Sequence, residues 1–410
     1  MYFRMRIAAF CAAVTIVSVG AGSAPAVADP APAPPAAAPG ATLSRPVAAP
    51  AGKQLCAAVT AHPRKFIRAG ETQAGCAVAA TTAAAAAVAP VSCQDQTTGT
   101  WHYRRTSVCL AGYQRSLQTV DAAGKVTGTA TIEISTDMPF QTERLTWTEN
   151  WYLTLTAATG RLTTMGLTWS VACGTGCAAR STPAGAQQVT VGATVSGTTT
   201  YTANPAGRSE WTQTYSLAAT NPSGDTLPVQ SYPGYYPFRC DRVIGPNPGC
   251  VVPAVTMSLA MSKSGAERSV QAAWLLQRDF PDNWGAGAKL HRQMDSTLAQ
   301  ANYDAVCNDG TFVKSGTSDT CVLFPPASTY ETARLLGLSA GDCVDATARQ
   351  SRGTGQWYLD YAAGTVDFTE RCLRAHAPDT EAAEFQRQLN GFYQGQRILD
   401  NDAFGLVFSG

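Results

Sequence analysis

Carboxylate, amide and imidazole side chains recur at regular spacing in the last third of the chain, where they could do chemistry. Between Lys289 and Cys307, apolar residues recur three and four positions apart, which predicts an amphipathic helix. At about 100° per residue, His291, Asp295 and Asn302 fall along one edge of its apolar stripe. Such an edge can line a cleft. The alternative is a solvated boundary strip with a His291–Asp295 pair four residues apart.

A second candidate is the stretch CVLFPPASTYE, which runs from Cys321 to Glu331 and contains one carboxylate. Glu331 could bind a divalent cation, since hard cations such as Mg²⁺ and Mn²⁺ prefer carboxylate and water ligands. The alternative role is local. Ser328 and Glu331 have the spacing of a capping box at the start of a helix over ETARLLGL, and the two roles are compatible.

Other catalytic signatures are missing from the sequence. It contains no GxSxG, P-loop, HExxH or dinucleotide-binding motif. No CxxC pair occurs, and the four histidines are too scattered to predict a zinc site. Asp400 and Asp402 flank Asn401 between apolar runs, a pattern that indicates a turn before it indicates metal binding.

The elements that must position these residues follow an export signal. Arg4 and Arg6, an apolar run over residues 7–19 and small residues at 26–28 predict a signal peptide over residues 1–28. That run is too short for a permanent membrane span. We therefore expect a secreted, extracellular protein.

Twelve of the thirteen cysteines lie beyond this signal, and an even number in an oxidising compartment favours disulfides. Pairing of neighbours is the simplest connectivity, although spacing alone leaves others open. Those pairs are Cys56–Cys76, Cys93–Cys109, Cys173–Cys177, Cys240–Cys250, Cys307–Cys321 and Cys343–Cys372.

Composition changes along the mature chain. Residues 29–52 are almost only proline and alanine, which predicts an extended tether, and residues 53–92 form a weakly ordered lead-in without an assignment. From 93 to 235, alternating Thr, Val, Trp and Tyr punctuated by Gly, Asn and Pro predict an all-β, sandwich-like module. A connector over 236–284 contains a predicted helix at 266–280, just before a proline.

Three segments of the C-terminal region carry a resemblance to a known family by their sequence and their order. They are LAQANYDAVC, CVLFPPASTYE and LNGFYQGQRILDNDAFGLVF. Together they resemble the NucA/NucB-type deoxyribonuclease domain of secreted bacterial endonucleases, over residues 285–410. The resemblance implies a small disulfide-rich α+β nuclease-like domain and hydrolysis of DNA with Mg²⁺ or Mn²⁺. It implies that Asp295 and Glu331 are metal ligands and catalytic acids, and that Asn302 is an orienting catalytic group.

The central motif departs from the family pattern where its acids belong. Val322 and Leu323 occupy the positions of an acidic pair, and Pro326 replaces the usual hydrophobic residue. On the predicted helix, Tyr303 stands where an arginine is expected. Because valine and leucine supply neither a metal ligand nor a base, an inactive pseudo-nuclease that binds DNA or another partner is the alternative function.

Charge adds a second reason for that alternative. Residues 281–410 carry ten Lys or Arg against sixteen Asp or Glu, whereas residues 29–280 carry eighteen against thirteen. DNA-binding surfaces usually have an excess of basic residues. Any polyanion would sooner meet the β-rich part.

The tryptophan-bearing strands suggest a weaker alternative, a cell-envelope or carbohydrate-binding protein. Exposed aromatic rings stack on sugars and bases, but aromatic residues in strands also fill cores. The residues concerned are Trp147, Trp151, Tyr152 and Trp169. In each case we expect a monomer.

Overall fold

The computed structural model describes residues 37–38, 42–46, 52–79, 93, 96–234, 236–362 and 366–408. The predicted signal peptide and the alanine run at 81–90 lie outside these residues. The described residues all belong to one unit, Pro34–Gly410. Within them, every helix is too short or too polar to cross a bilayer.

Strands account for most of the regular structure. Strands β1 to β8 are Ala37–Ala38, Leu43–Pro46, Ala74–Ala79, Thr100–Arg104, Ser107–Val120, Val126–Pro139, Thr146–Gly160 and Thr164–Ala172. Strands β9 to β16 are Cys177–Thr182, Gln187–Thr190, Thr194–Ala203, Arg208–Trp211, Thr214–Thr220, Thr226–Pro233, Phe238–Asp241 and Gly249–Val251. Strands β17 to β23 are Met257–Met261, Leu290–His291, Asp319–Phe324, Val344–Gln350, Trp357–Tyr361, Leu373–Pro378 and Ala403–Phe408. Helices α1 to α4 are Gly52–Ala61, Glu267–Asp279, Ser296–Cys307 and Asp379–Gly395.

The N-terminal module is all-β and sandwich-like, as its period-2 pattern predicted. Its larger sheet has the order β2-β4-β5-β6-β7-β11-β9, with β3 also paired to β5, and the smaller sheet has the order β10-β8-β13-β14. Both sheets contribute to one hydrophobic core, in which Trp101 contacts Tyr215 with ring centroids 5.2 Å apart. Within the module this core lies between the two sheets, and the same main core continues into the C-terminal region.

The tryptophans of this module are buried. Trp147, Trp151 and Trp169 expose 2%, 1% and 3% of their surface, and Trp147 stacks on Tyr201. Tyr152, on the same strand as two of them, is half-buried. The three tryptophan rings fill the core, which confirms the interpretation of them as core residues and contradicts the weaker alternative of a carbohydrate-stacking face.

One carboxyl group is enclosed in the same core. Glu149 is completely buried, and the Tyr201 hydroxyl donates a hydrogen bond to its Oε2 atom at 2.5 Å. Burial raises the pKa of Glu149 to about 7, although the hydrogen bond from Tyr201 partly opposes the rise. The group is therefore mostly protonated in mildly acidic solution.

Replacing Glu149 with glutamine should stabilise the protein at pH 8 by roughly 3 kcal/mol and change little at pH 4 to 5. The pKa rises on folding from 4.5 to about 7, so the folded state binds the proton more tightly. Wild-type stability therefore falls as pH rises through that window. Urea unfolding with intact disulfides measures both values, with exposed Glu210→Gln as the matched control. An equal effect of the Glu149 substitution at both pH values would refute the assignment.

Two N-terminal segments differ from their predictions. Within the proline-alanine segment, Ala37–Ala38 pairs with β17 and Leu43–Pro46 pairs with β4, so these residues are extended but are not a free tether. The lead-in contains α1 and β3, which the Cys56–Cys76 disulfide joins. Backbone hydrogen bonds to neighbouring strands and this disulfide supply the order that composition did not reveal.

The C-terminal region is built on two four-stranded sheets, with orders β1-β17-β23-β18 and β19-β22-β20-β21. β17 comes from the predicted connector and lies parallel to β23. Helix α2 packs on β20 and β22. It ends at Asp279, just before Pro281, as predicted.

All six predicted disulfides are confirmed, and they fit a protein of an oxidising, extracellular compartment. Cys307–Cys321 joins the end of α3 to β19, and Cys343–Cys372 joins the residues that precede β20 and β22. The other pairs are Cys56–Cys76, Cys93–Cys109, Cys173–Cys177 and Cys240–Cys250.

Two predicted helix features are wrong. The helix predicted from Lys289 begins only at Ser296, because the residues before it pair as β18. No α-helix begins at Glu331; residues 331–337 form turns and a bend. The capping box at Ser328 is therefore absent, since the Glu331 carboxylate has another partner, described below.

A buried ionic network ties the C-terminal turn to the β-rich module. Asp402 accepts two hydrogen bonds from the Arg239 guanidinium, each at 2.7 Å, and one from Arg105 at 3.1 Å. Nearby, Arg397 forms an ion pair with Asp241. Asp402 follows a turn at Asn401, whose φ is +61°. The turn predicted at this position is confirmed.

Candidate functional site

Three chain segments lie side by side at the candidate site. His291 in β18 pairs with Ala403 in β23 on one side. On the other side, the Tyr330 amide donates to the His291 carbonyl at 2.9 Å, and the Gln293 amide donates to the Ser328 carbonyl at 2.9 Å. The motif containing Tyr330 is thus held against β18, which brings together residues that are distant in sequence.

The central feature is a pair formed by His291 and Glu331. The Glu331 Oε1 atom lies 2.8 Å from His291 Nδ1, and Oε2 accepts the His291 backbone N–H at 2.8 Å. The carboxylate is largely buried, with 12% of the Glu331 side chain exposed, whereas the imidazole is 41% exposed. We call these two residues the His–Glu pair.

The carboxylate fixes which ring nitrogen carries the proton. A hydrogen bond to an ionised carboxylate requires Nδ1 of His291 to donate, so the neutral imidazole leaves its lone pair on Nε2. Nε2 has no hydrogen-bond partner among the described residues. The exposed nitrogen can therefore accept a proton from a water molecule or a hydroxyl group.

Asp295 lies close in sequence but has a structural role at the start of α3. Its Oδ1 atom accepts the backbone N–H groups of Thr297 at 2.8 Å and Leu298 at 3.2 Å. Asp295 is thus the N-cap of the helix and is not on its edge, and His291 is not in the helix at all. The predicted pair between these two residues is absent, because His291 binds Glu331.

A second carboxylate lies beside Asp295. Asp400 accepts the Met294 amide at 3.1 Å and the Tyr330 hydroxyl at 3.1 Å. Burial and then the Asp400 carboxylate raise the pKa of Tyr330, and the charge of Asp295 adds to this effect. Asp295 and Asp400 therefore both lie near the Tyr330 hydroxyl, and their carboxylates make the surface around it negatively charged.

Asn302 is buried and holds the motif loop. Its Nδ2 group donates to the Ala327 carbonyl at 3.0 Å, and its Oδ1 atom accepts from Arg334 at 3.2 Å. It is completely inaccessible to solvent. Tyr303, which stands where the family pattern has an arginine, donates its hydroxyl to the Cys321 carbonyl at 3.2 Å. Asn302 thus anchors the loop to α3, and Tyr303 anchors β19 to it.

Val322 and Leu323 point into hydrophobic cores. They expose 6% and 5% of their surface, and successive strand residues face opposite sides of the sheet. Val322 belongs to the main core, whereas Leu323 packs in a smaller cluster around the Cys307–Cys321 and Cys343–Cys372 disulfides. A carboxylate restored at position 322 would be buried opposite Ala375, whereas one at position 323 would lie opposite Arg374 on the paired strand.

The residues at the site do not form a preassembled place for Mg²⁺ or Mn²⁺. Both oxygens of Glu331 accept hydrogen bonds from His291, and Oδ1 of Asp295 is occupied by α3. Across the described part of the chain, no three His, Cys, Asp or Glu side chains form a group that could hold a metal ion. A cation bound at Glu331 would have to displace His291.

Another buried histidine lies elsewhere in the same region. His376 contacts Asp319 through Nδ1 at 2.6 Å and Asp345 through Nε2 at 2.9 Å, and Phe312 stacks on its ring. Both ring nitrogens are occupied, so His376 has no free lone pair for catalysis. Its role is to join three segments of the sheet and its loop.

Sequence reasoning found Glu331 but missed its partner. His291 and Glu331 are 40 residues apart, and their contact depends on the pairing of a two-residue strand. Neither feature has a periodic signal in the sequence. The acidic motif residue and the helix-like spacing around His291 were the only pointers.

Comparisons with known proteins give no identity. No family model matches the chain, and no curated protein matches it. One solved structure, a FixG-related protein from Vibrio parahaemolyticus, is 11% identical with a TM-score of 0.16, covering 25% of this chain and 94% of that chain. Native alpha-2-macroglobulin from E. coli is 10% identical with a TM-score of 0.22, covering 53% of this chain and 14% of that chain. Neither similarity supports an argument about fold or function.

Proposed function

We propose that residues 285–410 hydrolyse phosphodiester bonds in DNA outside the cell, with His291 as the catalytic base and Glu331 as its positioning residue. One observation carries the proposal: a half-exposed imidazole has its Nδ1 bound to a buried carboxylate and its Nε2 free. This arrangement is suited to proton abstraction. DNA as the substrate comes from the resemblance to NucA/NucB-type deoxyribonucleases.

The reaction assigned to the His–Glu pair is a proton transfer coupled to attack. His291 Nε2 takes a proton from a water molecule as the water oxygen bonds to phosphorus. The phosphorus–oxygen bond to the leaving deoxyribose breaks, and that oxygen takes a proton from solvent. Glu331 holds the ring and stabilises the imidazolium that forms.

A divalent cation remains an expectation of the resemblance. Mg²⁺ or Mn²⁺ would neutralise phosphate charge. Asp295 and Asp400 are the exposed carboxylates beside the pair, and both are partly occupied by backbone amides. The proposed proton transfer does not pass through a cation.

Plasmid cleavage tests the proposal. The mature wild-type protein should convert supercoiled plasmid to nicked and linear forms in assays with Mg²⁺, with Mn²⁺ and with a chelator. Glu331→Gln should lower kcat by roughly 10- to 100-fold with KM within about twofold, because the ring loses its ionised partner while the DNA-binding surface is unchanged. A Glu210→Gln control should cut normally. A parallel rise in KM, or an unchanged kcat, would remove Glu331 from its positioning role.

The second candidate function is a pseudo-nuclease that binds DNA or another partner without cutting it. The burial of Val322 and Leu323 in hydrophobic cores favours it, because these positions carry acids in the family pattern. The excess of acidic residues over 281–410 also favours a pseudo-nuclease, because a negatively charged surface binds the phosphates of a DNA substrate weakly. A wild-type protein that binds DNA but leaves plasmid intact in all three assays would establish this function instead.

A further inference from the structure

An open trough of about 1040 Å³ lies between the hairpin of β20 and β21 and the first turns of α2 and α4. Its cationic residues are Arg268, Arg349 and Arg352, and its aromatic residues are Trp357 and Tyr358. None of these residues takes part in the His–Glu pair or its surroundings. A combination of guanidinium groups and rings on an open surface is typical of sites that bind nucleic-acid strands.

Strand register places a guanidinium beside a ring. Arg349 in β20 lies directly opposite Tyr358 in β21, so both side chains project from the same face of the hairpin. Tyr358 is 46% exposed. Arg349 also forms a surface ion pair with Asp360, which is weak enough for a phosphate group to replace. The hairpin thus offers a stacking ring next to an exchangeable cation.

The hairpin turn adds a second cation. Arg352 follows the end of β20 and is exposed, and it has no ion-pair partner within the described residues. Gln350 and Trp357 pair at the base of the same turn, with Trp357 packed partly on the main core. The Arg352 guanidinium is therefore free to bind an anion at the edge of the trough, next to the Trp357 ring, whose position is fixed by packing.

Acidic side chains balance the charge of two of the three arginines. Glu267 and Glu381 line the trough, and Glu381 accepts the Arg268 backbone N–H at 2.5 Å and so binds the first turn of α2. Three arginines stand here against three carboxylates, since Asp360 pairs with Arg349 beside the two glutamates. Arg352, by contrast, has no ion-pair partner within the described residues.

We propose that this trough binds a single strand of DNA, with phosphates at Arg349 and Arg352 and a base stacked on Tyr358. A single strand fits better than a duplex because only unpaired bases can stack on a protein ring. The assignment deepens the proposed function and rests on it for the choice of DNA. It also identifies where an acidic domain would hold its polyanionic substrate.

The test is a fluorescence anisotropy titration of the full mature chain with a labelled 20-nucleotide oligothymidylate. A gel run afterwards checks that the oligonucleotide has not been cut. Tyr358→Ala should weaken binding about 10-fold. Arg352→Ala should weaken it about 3- to 10-fold and should reduce the slope of log K against log salt by about 0.7. Arg208→Ala, at an exposed ion pair in the β-rich module, is the control and should bind normally.

Each outcome either supports or overturns the assignment. Far-UV circular dichroism should show that both trough variants are folded, since both side chains are exposed. Wild-type protein that fails to bind the oligonucleotide, or trough variants that bind it as tightly as wild type, would overturn the site. So would a duplex that binds as tightly as the single strand.

Strand binding by the trough and DNA cleavage at the His–Glu pair can be lost separately. If wild type cuts plasmid while the trough variants bind and cut normally, the trough is not the binding site and the hydrolytic function stands. If oligonucleotide binding depends on Arg352 and Tyr358 but plasmid stays intact, the binding surface stands and hydrolysis fails.

Discussion

Replacing Asp402 with asparagine should destabilise the folded protein by about 3–5 kcal/mol. The substitution keeps the size of the side chain but removes the only charge that Asp402 offers to Arg105 and Arg239. Both guanidinium groups are buried, with 2% and 0% of their side chains exposed. Two buried cations would then face each other without that carboxylate, which is the costliest way to break an ion pair.

The pKa values of this network agree with that reasoning. Burial lowers the pKa of Arg105 to about 10, although the charge of Asp402 raises it. Burial raises the pKa of Asp402, but hydrogen bonds and charge from Arg239 outweigh it, so this pKa is lowered below its ordinary value of 3.8. The stabilisation is therefore complete above pH 4 and is lost as pH falls through the lower folded-state value.

Urea unfolding at pH 7 with intact disulfides measures the effect. Glu210→Gln, which breaks an exposed ion pair with Arg208, is the matched control and should cost less than about 1 kcal/mol. The gap between wild type and Asp402→Asn should narrow on acidification. An Asp402→Asn protein as stable as the control would mean that the network is not a structural tie between the turn and the β-rich module.

Much of the fold was accessible from the sequence because its signals are local. Alternating residues between 93 and 235 predicted the strands, since the side-chain period of a strand is two. Pairing of neighbouring cysteines predicted all six disulfides, and Pro281 predicted the end of α2. The partly degenerate motif also directed attention to Glu331, which lies in the candidate site.

The site itself was less accessible because its contacts are not local. Leu290, Met294 and Leu298 have helical spacing, yet the first belongs to a two-residue strand and Asp295 starts the helix later. A strand of two residues is too short to show the alternation of apolar and polar residues that predicts a strand. The pairing of His291 with Glu331 depends on a bridge between segments about 40 residues apart, which no spacing rule reports.

The role of single residues also changed with their surroundings. Asp295 and Asn302 were predicted as a metal ligand and a catalytic group, and the structure places one at a helix cap and the other beneath a loop. Side chains that bind backbone groups are common in both situations, and sequence does not distinguish them from ligands. The catalytic work in our proposal therefore moves to His291.

The central claim is that the His291 imidazole removes the proton in DNA cleavage, and His291→Ala tests it most directly. The substitution should lower the rate of plasmid cleavage by about 10²- to 10⁴-fold, because the base is lost while Glu331 stays in place. Free imidazole added to the assay should restore part of that rate, since it can occupy the vacated space. His62→Ala, at an exposed histidine, is the matched control and should cut at the wild-type rate. A wild-type protein without cleavage activity, or a His291→Ala protein that cuts as fast as wild type, would contradict the account.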